Sequence, residues 1–386
     1  MLMLTGAYYP ELSGGGLQCR TLVNALKASV GFTVLATSRR SDLPALASVD
    51  GVPVYRVALR GHRGELPVAG WRLLRTFIGL RRDVDIVHFH GFTSKMLVIY
   101  ALARLFGKRI VEKPTSVGGD DPLTMSRAGL SGSVYARADA FVSVSPGMTA
   151  RFRASRIPPA RVREIPNGVD LRRFRPASSA EEVRALRVRL GLPTTAPIIV
   201  SVGFFSRDKA PHILFEAWRR LPPTTGQPYL LFIGSTDPTH IEVDSQVVAA
   251  IKGEIGRAGL GERVGFVEAT DAVDEYLRAS DIYAAPSRRE GLSNALLEAL
   301  ASGLPVVAAR IDGGTTGTIR DGYTGFLVAP DDPAALANRI EVLVGDPPLR
   351  VRFGAAARQL AETGFGIEMV AAKYLELYRD LLVKTT

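Results

Sequence analysis

The chain reads as an α/β protein made of two doubly wound, Rossmann-like domains. Three observations predict this. Short Val- and Ile-rich runs recur along the whole length, without the strict alternation of a half-exposed sheet. Helical stretches lie between many of them, so strand and helix alternate. Finally, 386 residues at roughly 150 per domain leave room for about two to three domains.

In the first half the runs are 2–5, 32–37, 52–57, 85–89, 109–112 and 140–145. In the second they are 198–203, 229–234, 263–267, 281–285, 305–308 and 325–328. The halves meet within 166–196. There Pro166-Asn167-Gly168 precedes the basic stretch LRRFRP, a helix at about 180–190, and then Pro193 and Pro197. The tail from 347 reads as two amphipathic helices, with Leu375, Tyr378, Leu381 and Leu382 on one face of the last. No internal repeat, low-complexity tract or heptad run is present.

Apolar residues make up 46% and charged residues 22%, ordinary for a globular enzyme and excluding a disordered chain. A single cysteine, Cys19, excludes an internal disulfide framework and a Cys-rich zinc site, and points to a reducing, cytoplasmic compartment. The N-terminus MLMLTGAYYP lacks the basic and long apolar regions of a signal peptide. No run of about 18 apolar residues exists, so a membrane span is not expected. Residues 1–176 carry 26 basic and 12 acidic side chains, a net of +14, and residues 177–386 carry 22 and 26, a net of −4. A basic half joined to a mildly acidic one suggests two different partners.

The strongest chemical signal is PSRREGLSNALLEALASGLPVVA at 286–308. A strand feeds a loop carrying Glu290, and a helix starts near Ser293. Unpaired backbone N–H groups of Ser293, Asn294 and Ala295 at that start suit a diphosphate. Glu298 lies about one turn in, within reach of a ribose. Breaking a glycosyl–phosphate bond leaves extra negative charge on a diphosphate, which needs a divalent metal or preorganised cations and N–H dipoles. The chain has no Asp-x-Asp pair near a strand end and no clustered histidines, but it has Lys209 and this helix start. No metal and no cofactor are therefore expected.

This segment resembles the E-x7-E motif of retaining glycosyltransferase family 4, the glycosyl transferases group 1, which have the GT-B fold. Other stretches are similar in the same order. They are the opening strand, a glycine-rich loop Ser13-Gly14-Gly15-Gly16 and the first helix, DIVHFHG at 85–91, RADAFVSVSPGM at 137–148, IPNGVDLRRFRP at 165–176, VGFFSRDKAP at 202–211 and GGTTGTIRDGYTGFLV at 313–328. The resemblance implies two Rossmann-like domains facing across a cleft. It places an acceptor-binding domain at 1–172, a nucleotide-sugar-binding domain at 173–365, and a helix at 366–386 crossing back to the first. It also implies retention of anomeric configuration. Glu298 is then expected to hydrogen-bond ribose hydroxyls, and Glu290 to contact hydroxyls of the transferred sugar. Backbone N–H groups of Ser293 and Asn294, with Gly15 and Gly16 across the cleft, hold the phosphates. Lys209 neutralises the leaving diphosphate. Leu292 and Gly203 complete the expected donor site, and Gly14 the acceptor side.

Two positions depart from the family pattern. Phe204 stands where an arginine is usual, and Arg207 is the candidate replacement. Pro114-Thr115 stands where a histidine is common, with Lys113 or Thr115 as substitutes. No general base is evident there, which fits a front-face mechanism in which the leaving phosphate takes the acceptor proton. His88, in an apolar run, reads as a core residue. His90, at a strand's carboxyl end, is a candidate for the cleft. His62, His212 and His240 read as surface or loop residues. Gly14–Gly16 lack the spacing of a dinucleotide fingerprint, which argues against a dehydrogenase.

Arg56, Arg60, Arg63, Arg72, Arg75, Arg81 and Arg82 crowd the segment 56–82. Within it 68–80 reads as an amphipathic helix, with Val68, Trp71, Leu74, Phe77 and Ile78 near one face, most of it packed on the sheet. Such a basic helix suits an anionic bilayer. The expected function is therefore sugar transfer from a UDP- or GDP-sugar onto a lipid-linked or anionic glycan acceptor in cell-envelope synthesis, by an enzyme peripheral to the inner membrane face. The alternatives are transfer to a soluble small-molecule acceptor and a nucleotide-sugar epimerase. A nucleic-acid partner, suggested by a pI near 9.8, finds no binding motif.

Overall fold

The computed structural model describes residues 1–386 other than 41, 60–65, 94–95, 224–226, 239, 241 and 384–386. The chain forms two compact units, one of Met1–Gly168 with Ile367–Thr386, the other of Val169–Gly366.

The first unit contains β1 (Leu2–Thr5), α1 (Gly14–Leu26), β2 (Thr33–Ser38), β3 (Leu46–Val49), β4 (Val52–Ala58), α2 (Leu66–Leu80), β5 (Ile86–His90), α3 (Leu97–Leu105), β6 (Arg109–Lys113), α4 (Pro122–Met125), α5 (Gly129–Tyr135), β7 (Ala140–Ser143), α6 (Pro146–Arg153) and β8 (Val162–Glu164). Its sheet has the order β3-β4-β2-β1-β5-β6-β7-β8. Every pairing is parallel except β3 with β4. All residues of β1, β5 and β7 are buried, as strands covered on both faces require. β3 and β8 have no counterpart among the apolar runs. β3 is an edge strand that alternates between exposed and half-buried positions, and β8 has three residues.

The second unit contains α7 (Ala180–Arg189), β9 (Ile198–Val202), α8 (Pro211–Arg219), β10 (Tyr229–Ile233), α9 (Ser245–Ala258), β11 (Val264–Val267), α10 (Val273–Arg278), β12 (Ile282–Ala285), α11 (Asn294–Ala301), β13 (Val306–Ala309), β14 (Gly325–Val328), α12 (Pro333–Gly345) and α13 (Pro347–Gly364). Its sheet, β11-β10-β9-β12-β13-β14, is parallel throughout. The chain then returns to the first unit as α14 (Ile367–Val383).

Helix starts are written locally. Ser13, Ser145, Ser179, Asp244, Ser293, Asp332 and Asp346 each accept a hydrogen bond from a backbone N–H of the helix they open. Such a cap is worth about 1 kcal/mol. Pro146, Pro333 and Pro347 directly follow three of these caps, where a missing N–H has no consequence.

Three sequence expectations need correction. Gly14–Gly16 are not a loop before α1; they are its first turn. On α2 the buried stripe is Ala69, Leu73 and Phe77, whereas Val68, Trp71 and Ile78 are exposed, Trp71 by 62%. The stripe follows the i, i+4, i+8 spacing, and Val68 and Trp71 fall beside it. On α14 the buried face is Ile367, Val370, Ala371, Tyr374, Leu377, Tyr378 and Leu381, leaving Leu375 at its margin and Leu382 exposed.

In each sheet the chain reverses its direction of travel once. In the first it leaves β1 toward β2 and later resumes on the other side at β5; in the second it runs from β9 through β11 and resumes at β12. Loops at such a reversal part from each other and leave a crevice at the carboxyl ends of the strands.

The end of the first unit's main segment is held by a side chain of α1. Gln18 donates from Nε2 to the Gly168 carbonyl (3.0 Å) and accepts at Oε1 from the Gly168 N–H (3.2 Å). A Cβ at position 168 would lie 2.5 Å from Ile367 Cδ1 and 3.2 Å from Ile367 Cα, so a larger residue there would press on α14. Gln18→Ala strands both backbone groups. It should lower the unfolding free energy by about 1–3 kcal/mol, read from the urea midpoint at unchanged slope; an unmoved midpoint would show that the clamp is dispensable.

Candidate active site

In the second unit β9 and β12 lie side by side, with Ile199 paired to Ile282 and Val200 to Tyr283. The loops that follow leave the same edge of the sheet. There Lys209 Nζ donates to Glu290 Oε1 at 2.5 Å, although 81 residues separate them. The local backbone aims the lysine. Its N–H donates to Ser206 Oγ (3.1 Å), and Ala210 is left-handed (φ 50°, ψ 45°) immediately before Pro211 opens α8. A residue before proline rarely takes that conformation, so the turn is strained. The aliphatic part of Lys209 passes over Gly203, where a Cβ would lie 3.6 Å from its Cγ and Cδ. Gly203 is itself crossed by Gly234: a Cβ at 234 would meet the Gly203 carbonyl at 2.0 Å. Gly203, Phe204, Lys209, Tyr283, Ser287 and Glu290 line one small cavity.

The helix α11 opens from this edge. Ser293 Oγ accepts from the Leu296 N–H (3.4 Å), Asn294 is the first helical residue, and Leu292 is buried beneath the loop. The carboxyl of Glu298 makes no hydrogen bond among the described residues. Burial pushes its carboxyl up to about 7; Arg173 pulls it down and Asp274 pushes it further up. Arg173 in turn donates to Asp274 (3.1 Å) and to the Asp271 carbonyl. Arg173 was not singled out in the sequence, although it lies in the basic LRRFRP stretch.

Arg207 does not join this group. Its Nε donates to Asp244 (2.8 Å) and its Nη2 to Gln246 (3.1 Å), with the side chain 67% exposed. The N-cap carboxylate of α9 lies within its reach and captures it. Arg289 is paired likewise with Asp208, and Arg288 with Asp331. Phe204, at the place expected for an arginine, stacks on His240 with ring centroids 4.2 Å apart. His240 is thus an aromatic partner within a loop, and His212 lies in the first turn of α8, half-buried. His62 lies outside the described residues.

In the first unit the carboxyl ends of β1, β5 and β6 gather a second group. A Cβ on Gly15 would lie 3.4 Å from Thr115 Cγ2 and 3.5 Å from the His90 carbonyl. Gly14 opens α1 beside it, and the Gly16 N–H is taken by Ser13 Oγ (3.0 Å) rather than left for a phosphate. His90 presents only its backbone to this edge. Its ring is buried against His88 (4.4 Å), and both its nitrogens lack partners among the described residues. His88 is hydrogen-bonded through Nδ1 to Tyr378 Oη (2.8 Å). Burial holds both rings well below the usual histidine range, so both are neutral near pH 7. The cleft role expected for the His90 side chain is therefore corrected to a core role. Lys113 is 3% exposed, with its ammonium 5.9 Å from the Tyr374 ring; burial pushes it down to about 8. Thr115 is exposed, and its N–H donates to Asp120 (3.0 Å). Asp120 also receives the N–H groups of Ser116 (2.9 Å) and Phe92 (3.1 Å) and so ties two loops together. Sequence reasoning missed Asp120, because an acidic residue in a loop gives no sign of which N–H groups it will gather.

Among the described residues no group of three or more His, Cys, Asp or Glu is placed to hold a metal ion, and no helix is long and apolar enough to cross a membrane.

The chain matches two family models, glycosyl transferases group 1 over residues 182–360 and a glycosyl transferase 4-like domain over residues 13–168. It is 30% identical over 315 residues to the D-inositol 3-phosphate glycosyltransferase of Thermobifida fusca, spanning 77% of this chain and 70% of that protein. It is 30% identical over 379 residues to D-inositol 3-phosphate glycosyltransferase 1 of Catenulispora acidiphila, spanning 91% and 86%. Among solved structures it is similar to sucrose-phosphate synthase of Thermosynechococcus elongatus, with a TM-score of 0.82, 24% identity and 99% of both chains covered. It is also similar to HepE of Anabaena, solved with UDP and glucose, with a TM-score of 0.80, 19% identity and 98% and 99% covered. The chain is an enzyme of the group 1, family 4-like glycosyltransferases, and its two parallel-sheet units make up the GT-B fold of that family.

Proposed function

We propose that this glycosyltransferase moves a sugar, with retention of configuration, from a nucleoside diphosphate sugar onto a small soluble polyol. The observation that carries the donor half is the Lys209–Glu290 pair at the sheet reversal of the second unit, with the unpartnered carboxyl of Glu298 on the adjoining helix. The relatives named as D-inositol 3-phosphate glycosyltransferases support a small acceptor, and the HepE complex supports UDP as the nucleotide.

In this reading Glu298 accepts from the ribose hydroxyls and Glu290 from hydroxyls of the sugar. Lys209, with the N-terminal dipole of α11, holds the diphosphate. The C1–O bond to phosphate breaks, and the diphosphate departs with the electron pair. The acceptor oxygen attacks the same face, and its proton passes to the departing phosphate. Charge grows on the diphosphate as the bond breaks, so Lys209 acts most strongly in the transition state. Lys113, Thr115 and Gly15 stand at the carboxyl edge of the first sheet, and this reading puts the acceptor there.

A lipid-linked acceptor has one observation in its favour. Trp71 and Val68 are exposed on α2 beside Arg72 and Arg75. Sedimentation with anionic vesicles tests it.

Release of UDP or GDP from a panel of sugar donors, with and without inositol phosphates, tests the main reading; no acceptor-dependent release from any donor would overturn it. Glu298→Ala should weaken UDP by about 1.5–3 kcal/mol in calorimetry. The pH sign follows from the raised carboxyl. Between about 4.5 and 7 the free protein holds a proton on Glu298 that the ribose-bound carboxylate must give up. UDP binding near pH 6 should therefore release a proton, seen as a buffer-dependent enthalpy and absent in Glu298→Gln. Lys209→Ala should cost about 2.7–4 kcal/mol of barrier, chiefly in kcat, whereas Arg207→Ala should leave kcat nearly unchanged because Asp244 and Gln246 hold that guanidinium. Equal losses in the two variants would return Arg207 to the site. Activity should survive EDTA; loss reversed by Mg²⁺ would overturn the protein-only leaving-group stabilisation.

A further inference from the structure

The first unit holds a basic groove that the donor chemistry does not use. It lies between the β3–β4 edge of the sheet and α2, with a volume of about 790 Å³. Arg56 of β4, Arg72 and Arg75 of α2, and Arg40 line it together with Tyr55 and Leu46. Among the described residues no acidic side chain lines it.

Arg56 is the anchor of the argument. It is 7% exposed, so it is not the surface cation that the sequence pattern suggested. Its Nη2 donates to the Tyr9 carbonyl (2.7 Å) and its Nη1 to the Pro44 carbonyl (3.5 Å), while its buried Nε has no partner. Burial opposes its charge, and Glu11 supports it from a distance without an ion pair. A buried guanidinium satisfied only by neutral carbonyls is held at a cost. Arg72 and Arg75 sit at i, i+3 on one face of α2, where like charges repel. Among the described residues no carboxylate is within ion-pairing distance of Arg56, Arg72 or Arg75; Asp42 is taken by Arg40. Among the described residues three guanidinium groups without an ion-paired carboxylate therefore border one groove.

We infer that this groove binds a phosphate monoester, the anionic end of the acceptor. The chemistry is that of planar arginine forks, which grip phosphate oxygens in pairs, and several of them together suit a dianion. The volume suits a sugar- or polyol-sized ligand. Tyr55 and Leu46 give the groove an apolar wall for the ligand's carbon frame. The assignment rests on the proposed transfer to an acceptor, but it can be read without turnover.

The test is calorimetry on the full chain with three probes: D-inositol 3-phosphate, unphosphorylated inositol and inorganic phosphate. Arg72→Gln with Arg75→Gln removes two exposed cations, and Arg56→Lys removes the fork while keeping the charge. Unchanged thermal unfolding and UDP affinity verify the variants. The phosphate ester should bind the wild type with an affinity that falls as salt rises, and about tenfold or more weakly to the double variant. Inositol should not bind. Vesicles of phosphatidylcholine with and without phosphatidic acid, the lipid that carries a phosphate monoester, separate the sources. Binding only to anionic vesicles, lost in the double variant, would assign the groove to a lipid phosphate; binding only to the soluble ester assigns it to a free acceptor. Equal binding by wild type and variants, or no binding of either phosphate source, overturns the site. A chain that binds the ester but not UDP would keep the groove and sink the donor reading; the reverse would sink the groove alone.

Discussion

Parallel pairing of β9 with β12 is the constraint from which the candidate donor site follows. Two parallel neighbours end at the same edge of a sheet, so the segments that follow them are delivered to one place whatever their separation in sequence. Lys209 and Glu290 meet for that reason. The pairing also marks the point where the chain stops adding strands on one side and begins on the other, so the two loops part and leave room between them. The first unit repeats the arrangement with β1 and β5, and Gly15, Thr115 and the His90 carbonyl converge at its edge. One topological rule thus places both groups of residues. Side-chain chemistry distinguishes them: a lysine–glutamate pair with a free carboxyl in one, glycine, threonine and a carboxylate-anchored loop in the other.

That placement was largely legible in the amino-acid sequence, because it follows from strands and strands leave strong marks. All six strands of the second unit coincide with the apolar runs: β9, β10, β12 and β13 are largely buried and show no polar alternation, and the half-buried edge strands β11 and β14 are still built of apolar residues and glycine. The helix start at Ser293 was legible from its capping residue. Partnering was less so. Arg207 and Lys209 are two residues apart and carry the same charge, yet one pairs with Glu290 and the other with Asp244. The choice depends on where α9 begins, which is a tertiary fact. The orientation of α2 was misread for a related reason. Trp71 is a large apolar side chain on an apolar-looking face, but the register of Ala69, Leu73 and Phe77 on the sheet turns it outward.

The interior of the first unit carries more titratable groups than a stable core needs. His88, His90, Glu112 and Lys113 lie at the adjoining ends of β5 and β6, each no more than 3% exposed. Burial holds both histidines neutral and raises Glu112 well above the carboxylate range, where Tyr100 Oη approaches its Oε2 at 3.3 Å. Neutrality removes most of the desolvation penalty that four buried charges would impose. Lys113 keeps the largest claim to charge, and its side chain is the member of the set that lies at the carboxyl end of β6, beside Thr115. A cation there, and three arginines in the groove along α2, leave this unit in want of an anion. Residues 1–168 and 367–386 together carry 26 basic and 14 acidic side chains, a net of +12, which is the same imbalance seen from the sequence.

The stacked Phe204 and His240 bear on the leaving-group chemistry. Where an arginine would add a second fixed positive charge beside Lys209, an aromatic ring fills the space and is itself covered by an imidazole. Under the proposed function the growing charge of the diphosphate then falls on one ammonium and on the N–H dipoles of α11. A single ammonium is a compact charge on a flexible stem, and its effect depends on being held in place. The structure supplies that holding. Ala210 accepts a left-handed backbone that a glycine would adopt more easily, and Gly203 lets the lysine stem lie flat against the strand end. Glu290 fixes the ammonium until ligand oxygens compete for it. Backbone strain, a missing Cβ and an ion pair thus converge on one side chain, the cation to which the proposed function assigns the leaving-group charge.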